Sequence, residues 1–381
     1  MSRLDVLFAT CAPGLEPLLH AEAKALRLAK VERQVGGVRF EGRAADVWRA
    51  NLELRTAIRV LRRLTRFASP DADHLYDGVR ELPWERWLSP GGSLVVDAQS
   101  NESALDHTLF VQQRTKDAIV DRLKATRGER PAVDREDADL RVHVHLFRDR
   151  ATVSVDSSGE SLHKRGWRVH QGRAPLAETL AAAVVEWSGW DRRAPFLDPF
   201  CGSGTLLVEA AHRAMGRAPG LSRRFAFERW PEHDAPAWAR MRNEAEQRVR
   251  LPRKLRLVGS DLEPERVEEA RANLVAAGCA ELATLEVRDA RTLELRPGWN
   301  AWIVTNLPYG VRVGGGEGDE EQLVEAVRAF GARLREAGAG YSLTTLSGNP
   351  RLTKALALKP SLRIALRNGA LPVELLNFEL R

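Results

Sequence analysis

The residues best equipped for chemistry stand where apolar runs end. Ile303-Val304-Thr305 runs into Asn306-Leu307-Pro308-Tyr309-Gly310, an amide, a proline and an aromatic ring in one tight stretch. Phe196-Leu197 runs into Asp198, Pro199, Phe200, Cys201, Gly202, Ser203, Gly204 and Thr205, after which Leu206-Leu207-Val208 opens an amphipathic helix. Glycines at 202 and 204 let backbone N–H groups approach a ligand where a strand hands over to a helix. A third run, 255–261, ends in Asp261, a carboxylate of the kind that grips ribose hydroxyls. A fourth, 285–290, carries Asp289 at its end. Each of these Asp residues has a plainer reading as a helix cap, and the glycine turn one as a tight connection. The dinucleotide fingerprint is broken, because Leu207 stands where its third glycine belongs, and no P-loop sequence occurs. What is left is a nucleoside-bearing ligand beside an Asn-x-Pro-Tyr tetrad.

Three cysteines, Cys11, Cys201 and Cys279, lie far apart and form no C-x-x-C pair, which speaks against a disulfide framework and a zinc site. Cys11 reads as a buried or incidental thiol. His143 and His145 share a strand face but lack a third ligand at a useful spacing, so no metal is expected. No apolar run reaches the length of a membrane span and the start lacks a signal-peptide core, so the expectation is a cytoplasmic protein without a membrane partner. The 58 Lys and Arg against 52 Asp and Glu give a formal charge of +6 and a pI near 9.5, compatible with a polyanionic partner.

The elements that must position the tetrad follow from periodicity. A strand over 4–9, a helix over 15–28, a strand over 38–42 and a helix through Val47 and Trp48 make a small α/β unit. The run 59–66 is a strand holding Arg59, Arg62, Arg63 and Arg66. It reads either as a solvated basic edge or as a phosphate-contacting stripe. A second α/β module spans 70–157: a helix over 83–88 anchored by Trp84 and Trp87, a strand over 94–98, a helix ending near 124, and a hairpin of alternating strands over 140–146 and 151–156. Arg114, Lys116, Arg122, Lys124, Arg127 and Arg130 line and follow its long helix, as a solvated face or as an RNA contact. His163-Lys164-Arg165-Gly166-Trp167-Arg168 sets an aromatic ring among basic residues, either as a structural linker or as a surface for stacking and phosphate contact.

From about residue 158 strands alternate with helices, the pattern of a doubly wound sheet. An Arg-rich insertion of about 40 residues separates Ala211 from Leu255, and its Trp230 and Trp238 read as the core of inserted helices. Glycines 314, 315, 316 and 318 predict a mobile loop, either a lid or a disordered surface turn. Asn368-Gly369 between apolar runs signals a hairpin, with both residues serving the turn.

Taken together, DPFCGSGT, then GSD, then NLPYG resemble a class I S-adenosylmethionine-dependent methyltransferase of the amino-methylating kind. Leu162 to Arg168 with Ala174-Pro175-Leu176, and Phe227-Glu228-Arg229-Trp230-Pro231, narrow the resemblance to bacterial THUMP-domain RNA methyltransferases, the RlmL-like group acting on guanine in ribosomal RNA. It covers nearly the whole chain. It implies an α/β protein: a ferredoxin-like module over 1–66, an RNA-binding THUMP domain over 67–157 and a Rossmann-like methyltransferase domain over 158–381. It also implies S-adenosylmethionine as cofactor, with Asp198, Pro199, Cys201, Gly202, Ser203, Gly204 and Asn306 around its amino-acid end, Asp261 on the ribose and Asp289 on the adenine. An exocyclic amine is a weak nucleophile because its lone pair is delocalised into the ring. The side-chain oxygen of Asn306 and the carbonyl of Leu307 would accept its N–H bonds and free that lone pair, while Tyr309 stacks on the base. Catalysis is thus expected at Asn306, Leu307, Pro308 and Tyr309. The family usually has Pro where Leu307 stands, so ring-imposed rigidity is lost there. The expected partner is structured RNA, 23S ribosomal RNA ahead of tRNA. Adenine amino methylation, and a non-catalytic RNA-binding or assembly factor, are the other readings.

Overall fold

The computed structural model describes residues 4–170, 175–309 and 317–380. The chain packs as two compact units, neither of them one contiguous stretch. The first comprises the residues up to Cys11, Leu19–Leu162 and Arg223–Glu244; the second comprises Ala12–Leu18, His163–Ser222 and the chain from Ala245 onward.

The first half of the chain runs β1 (Asp5–Thr10), α1 (Glu16–Ala25), β2 (Ala29–Gln34), β3 (Gly37–Gly42), α2 (Ala44–Glu53) and β4 (Arg59–Ala68). It continues with α3 (Ala72–Arg80), β5 (Ser93–Asn101), α4 (Thr108–Arg127), β6 (Ala132–Val133), β7 (Leu140–Phe147) and β8 (Arg150–Asp156). All eight strands form one sheet in the order β2-β3-β1-β4-β8-β7-β5-β6. β4 is its joint, antiparallel to β1 on one side and to β8 on the other, so the backbone crosses residue 66 inside a strand. Three elements of this half lack a sequence signal, the two-residue β6 among them. β2 is almost wholly exposed and exists because β3 pairs with it, and α3 is set by Asp71, whose carboxylate accepts from the amides of Asp73 and His74. The helix expected over 83–88 is a single 3-10 turn, Trp84–Arg86, started by Pro83, although both tryptophans are buried as anchors.

Most of the basic residues singled out above are held by the protein itself. Arg59 pairs with Asp156, Arg62 lies between Asp5 and Glu232 and over the ring of Trp87, and Arg63 sits 4.6 Å above Phe8. On α4, Arg114 bonds Asp73 at 2.7 Å, Arg122 bonds Glu85 at 2.8 Å and Arg127 donates to the carbonyl of Leu88. Arg66, Lys124 and Arg130 stay exposed. His143 is half-buried between Asp97 and Asp156, so its part of the sheet face is not freely solvated. Among the described residues no group of three His, Cys, Asp or Glu could hold a metal ion, and no helix is long and apolar enough to cross a membrane.

The later chain runs α5 (Glu178–Trp187), β9 (Phe196–Asp198), α6 (Thr205–Met215), α7 (Ala235–Gln247), β10 (Leu257–Asp261), α8 (Pro264–Ala276) and β11 (Ala283–Val287). It ends with β12 (Trp302–Asn306), α9 (Glu317–Ala337), β13 (Ser342–Ser347), α10 (Pro350–Ala355), β14 (Leu362–Asn368) and β15 (Leu371–Glu379). The strand order is β11-β10-β9-β12-β13-β15-β14. The first five are parallel, and β15 closes the sheet antiparallel to both β13 and β14. The parallel strands are short apolar runs because helices cover both faces. Leu197, Ile303, Leu307, Phe330, Leu343 and Leu376 are among the buried residues of one apolar core there. After β11 the chain returns past β9 to lay down β12, so the loops after β9 and β12 face each other at a topological switch point.

The insertion does not form a core of its own. Trp238 packs edge-on against Phe227 at 5.0 Å and beside Trp48 at 6.3 Å, and Trp230 meets Trp87 edge-on at 5.1 Å. Residues from α2 and from the turn after α3 thus complete its aromatic cluster, all within the first unit. Arg229 extends the attachment through Asp137 and Asp139. Trp238 is 4% exposed, so Trp238→Ala empties a large site in a shared core. It should lower the unfolding free energy of the first unit by about 3–5 kcal/mol in urea titrations. A change below about 1 kcal/mol, the usual range for surface substitutions, would contradict a core role for this ring.

Candidate active site

β9 delivers Asp198 to the sheet's carboxyl edge and then turns through Cys201 to Gly204 into α6. Gly202 and Gly204 have φ of +51° and +79°, conformations that L side chains rarely adopt. A Cβ on Gly204 would also meet Ala270 of α8 at 3.0 Å, whereas nothing lies within 4 Å of one on Gly202. The turn therefore packs tightly on its inner side and is open at Gly202. It is tied to the neighbouring strand end by Cys201 N–H donating to the carbonyl of Ser260 and by Gly202 N–H donating to Asp261 Oδ2. Asn273 of α8 donates to the carbonyl of Ser203 and accepts from the amides of Val169 and His170, joining the turn to the segment before α5.

Three carboxyl groups behave differently. Asp198 is 2% exposed, and burial pushes its carboxyl up to about 7, against the Thr305 hydroxyl that donates to it at 2.6 Å. Asp261 is raised by burial too, while the amides of Gly202 and Glu263 favour its ionised form. These bonds make Asp261 a turn carboxylate and not the cap of α8, whose N-cap is Glu263, and a carboxylate that accepts two still has lone pairs for a ligand. Asp289 is lowered chiefly by the side chain of Arg291. It accepts from the Arg291 amide and guanidinium and starts a 3-10 turn, Ala290–Thr292, so the cap reading holds for it. Cys201 is buried, and burial pushes its thiol well above the ordinary value, which makes it a poor nucleophile.

β12 ends in the tetrad. Leu307 is fully buried in the core, and its N–H donates to the carbonyl of Leu346 at 2.9 Å. A proline could not make this bond, so strand pairing supplies here the rigidity that a ring would otherwise impose. Asn306, Pro308 and Tyr309 are half-buried. The Tyr309 hydroxyl donates to Asn306 Oδ1 at 3.0 Å and accepts from Asn368 Nδ2 at 3.2 Å. Asn368, expected to serve only its turn, is thus aimed at the tetrad; Gly369, with φ of +61°, does the turning.

The structure brings Asp198, Pro199, Cys201, Gly202, Ser203, Gly204 and Asp261 onto two adjoining strand ends, with Thr305 linking Asp198 to the strand of the tetrad. Asp289 bonds only within its own turn among the contacts described. The basic aromatic segment before α5 faces inward: Trp167 is 2% exposed, Arg165 lies against Glu209, and Arg168 bonds Glu178, Thr205 and the carbonyl of Leu176. A stacking surface at Trp167 is therefore absent. Glycines 314 to 316 of the expected lid lie outside the described residues, as do the side chains of 317–319. Sequence reading missed Thr305, Asn273, Gly348 and Asn368. Only Thr305 had a signal, a hydroxyl one residue before the tetrad on a buried strand.

These groups fit a ligand with a cationic amine, a carboxylate and vicinal hydroxyls: a buried carboxyl, a helix N-terminus with an open glycine, and a second carboxylate on the next strand. Comparison with known proteins agrees with this chemistry. Residues 165–377 match the RMKL-like methyltransferase domain, 6–61 the RlmL ferredoxin-like domain and 69–156 the THUMP domain. Ribosomal RNA large subunit methyltransferase K/L of Pseudomonas paraeruginosa is 40% identical over 388 residues, covering 99% of this chain and 53% of that protein. The chain spans about half the length of the curated relatives it matches. A protein described as a methyltransferase and solved with SAH superposes with a TM-score of 0.89 at 31% identity, over 100% of this chain and 99% of the other. A protein of Listeria monocytogenes described as an N6-adenine-specific DNA methylase superposes with a TM-score of 0.89 at 30% identity, over 100% and 97% of the two chains.

Asp198 generates a pH test that needs no ligand. An unfolded Asp ionises near 4, whereas Asp198 holds its proton to about 7, so in that window the native state binds a proton that the unfolded state has lost. Stability from this group is full below about pH 4 and is lost as the pH rises through about 7. Asp198→Asn should therefore gain on the parent between about pH 5 and about pH 8 in urea titrations. A gap constant across that range would mean an ordinary carboxyl.

Proposed function

The chain belongs to the RMKL-like methyltransferase family, and on that footing we propose that it is an S-adenosylmethionine-dependent RNA methyltransferase acting on the exocyclic amine (N2) of a guanine, with 23S ribosomal RNA as substrate. The observation that carries the reading is the meeting, at one switch point, of an open glycine turn, a buried Asp198 and an Asn-Leu-Pro-Tyr strand end joined to it through Thr305. The family matches at 6–61 and 69–156 support a ferredoxin-like module over 1–66 and an RNA-binding THUMP domain over 67–157, ahead of the catalytic domain over 158–381. The ribosomal name of the relatives favours 23S RNA over tRNA and a cytoplasmic site of action.

The cofactor supplies a methyl group on a positively charged sulfonium. The glycine turn around Ser203 would hold its amino-acid end, the Gly202 and Gly204 amides being engaged by Asp261 and by the Cys201 carbonyl, with Asp198 ionising to face the ammonium and Asp261 accepting from ribose hydroxyls. Asp289 Oδ2 is engaged by the Arg291 guanidinium, while Oδ1, which accepts from the Arg291 amide, keeps a lone pair that would accept from the adenine amine. Asn306 Oδ1 and the Leu307 carbonyl accept the N–H bonds of the target amine, and the Tyr309 ring keeps the base in line. No strong base is required, because the nitrogen becomes acidic only once it carries the methyl group. The high-lying Cys201 thiol speaks against a cysteine adduct and hence against carbon-5 pyrimidine methylation. Adenine amino methylation is the second reading, favoured by the likeness to the Listeria methylase; the same two acceptors serve either amine.

The purified chain, given methyl-labelled S-adenosylmethionine and RNA from a strain lacking the gene, should label 23S RNA at N2-methylguanine, read by nucleoside mass spectrometry. Label in N6-methyladenine, or in tRNA alone, would replace the substrate assignment. Cofactor and RNA binding with no label in either pool would make it a binding factor. Asn306→Ala should cost about 10²-fold or more in turnover while cofactor affinity stays within a few-fold. In the parent, cofactor affinity should rise with pH up to about 7 as Asp198 ionises, and Asp198→Asn should flatten that profile. An unchanged profile would remove Asp198 from the ammonium.

A further inference from the structure

We propose that Asn368, at the end of β14, is a positioning residue that sets which face of the Asn306 carboxamide the target amine meets. The inference rests on the function proposed above and deepens it. Its basis is a directional chain of hydrogen bonds. Asn368 Nδ2 donates to the Tyr309 hydroxyl at 3.2 Å, and that hydroxyl lies 3.0 Å from Asn306 Oδ1.

A phenolic hydroxyl has one proton to give. With Asn368 donating to its oxygen, the proton of Tyr309 points at Asn306. Asn306 must then present its oxygen on that side, because its NH2 would meet a second donor. The carboxamide oxygen keeps another lone pair, and that lone pair is the acceptor an exocyclic amine needs. Burial pushes the Tyr309 hydroxyl above its ordinary value, so it remains a donor at neutral pH. The ring itself is held in place by Gly348, where a Cβ would meet Tyr309 Cδ1 at 2.6 Å. Three segments far apart in sequence thus converge on one amide: the end of β12, the turn after β13 and the end of β14.

Polarity separates this role from packing. Asn368→Asp keeps the shape but turns the donor into an acceptor. The Tyr309 proton then swings to residue 368, and Asn306 rotates to offer NH2 to the phenol oxygen, facing a donor toward the substrate amine. Asn368→Ala removes only one bond and leaves the other in place. In labelled methyl transfer to undermethylated 23S RNA, Asn368→Asp should lower kcat by about tenfold or more and further than Asn368→Ala does, with KM and calorimetric cofactor affinity little changed. In a Tyr309→Phe background the difference between the two variants should vanish.

An alanine variant as impaired as the aspartate one, or a difference that survives Tyr309→Phe, overturns the proposal while leaving the methyltransferase reading intact. If the parent labels neither 23S RNA nor tRNA, the reading of function fails and this inference with it. Should circular dichroism show that the Asn368 variants fold poorly, Gly348→Ala displaces the ring without touching the hairpin. The drop in kcat must then shrink in a Tyr309→Phe background, where the hydroxyl relay is absent; a drop of equal size there assigns the effect to stacking and overturns the role.

Discussion

The bond between the Thr305 hydroxyl and Asp198 is the constraint on which the site depends. It spans the switch point, the one place where the loops of two adjacent parallel strands diverge and leave a crevice. A buried carboxyl without a partner would be costly, and a water-filled crevice would relieve it at the expense of the strand contact. With Thr305 donating, Asp198 tolerates burial, the β9 and β12 ends stay in register, and everything attached to them is placed: the glycine turn on one side, the tetrad on the other. Burial, working against the Thr305 bond, sets its titration near neutrality, so the carboxyl can answer an incoming cation by ionising.

Most of the second unit was legible because a parallel sheet covered on both faces writes itself as apolar runs ending in polar residues. Phe196-Leu197-Asp198, the run into Asp261 and Ile303 to Asn306 all obeyed that rule, and Asn368-Gly369 marked the closing hairpin. The failures share a physical cause. β2 and α3 owe their existence to pairing and capping, which local hydrophobic pattern does not encode. Trp167, Arg165 and Arg168 looked like an RNA surface because composition cannot distinguish a solvated arginine from one buried against Glu209 or Glu178. Asn368 was hidden because a residue that suits a turn gives no sign of the side chain it will meet 59 positions away.

Leu307 departs from a family pattern at a position the fold holds by another route. Rigidity after β12 can come from a proline ring or from one more rung of the ladder, and the leucine takes the second route, burying its side chain in the core as well. The two solutions exclude each other at the backbone nitrogen. A change at position 307 therefore cannot be judged from side-chain size alone.

The aromatic cluster that closes the first unit has a consequence for how the protein is made. Trp48 and Trp87 leave the ribosome early, but Phe227, Trp230 and Trp238 emerge only after β9 and α6. During vectorial synthesis the Trp48 and Trp87 rings stay uncovered for well over a hundred residues of translation. Until the later rings arrive, that nascent surface leaves apolar area open to non-native contacts. The shared cluster also means that neither unit can be transplanted as a simple cassette: a genetic cut at residue 158 would separate the sheet from the rings that cover it.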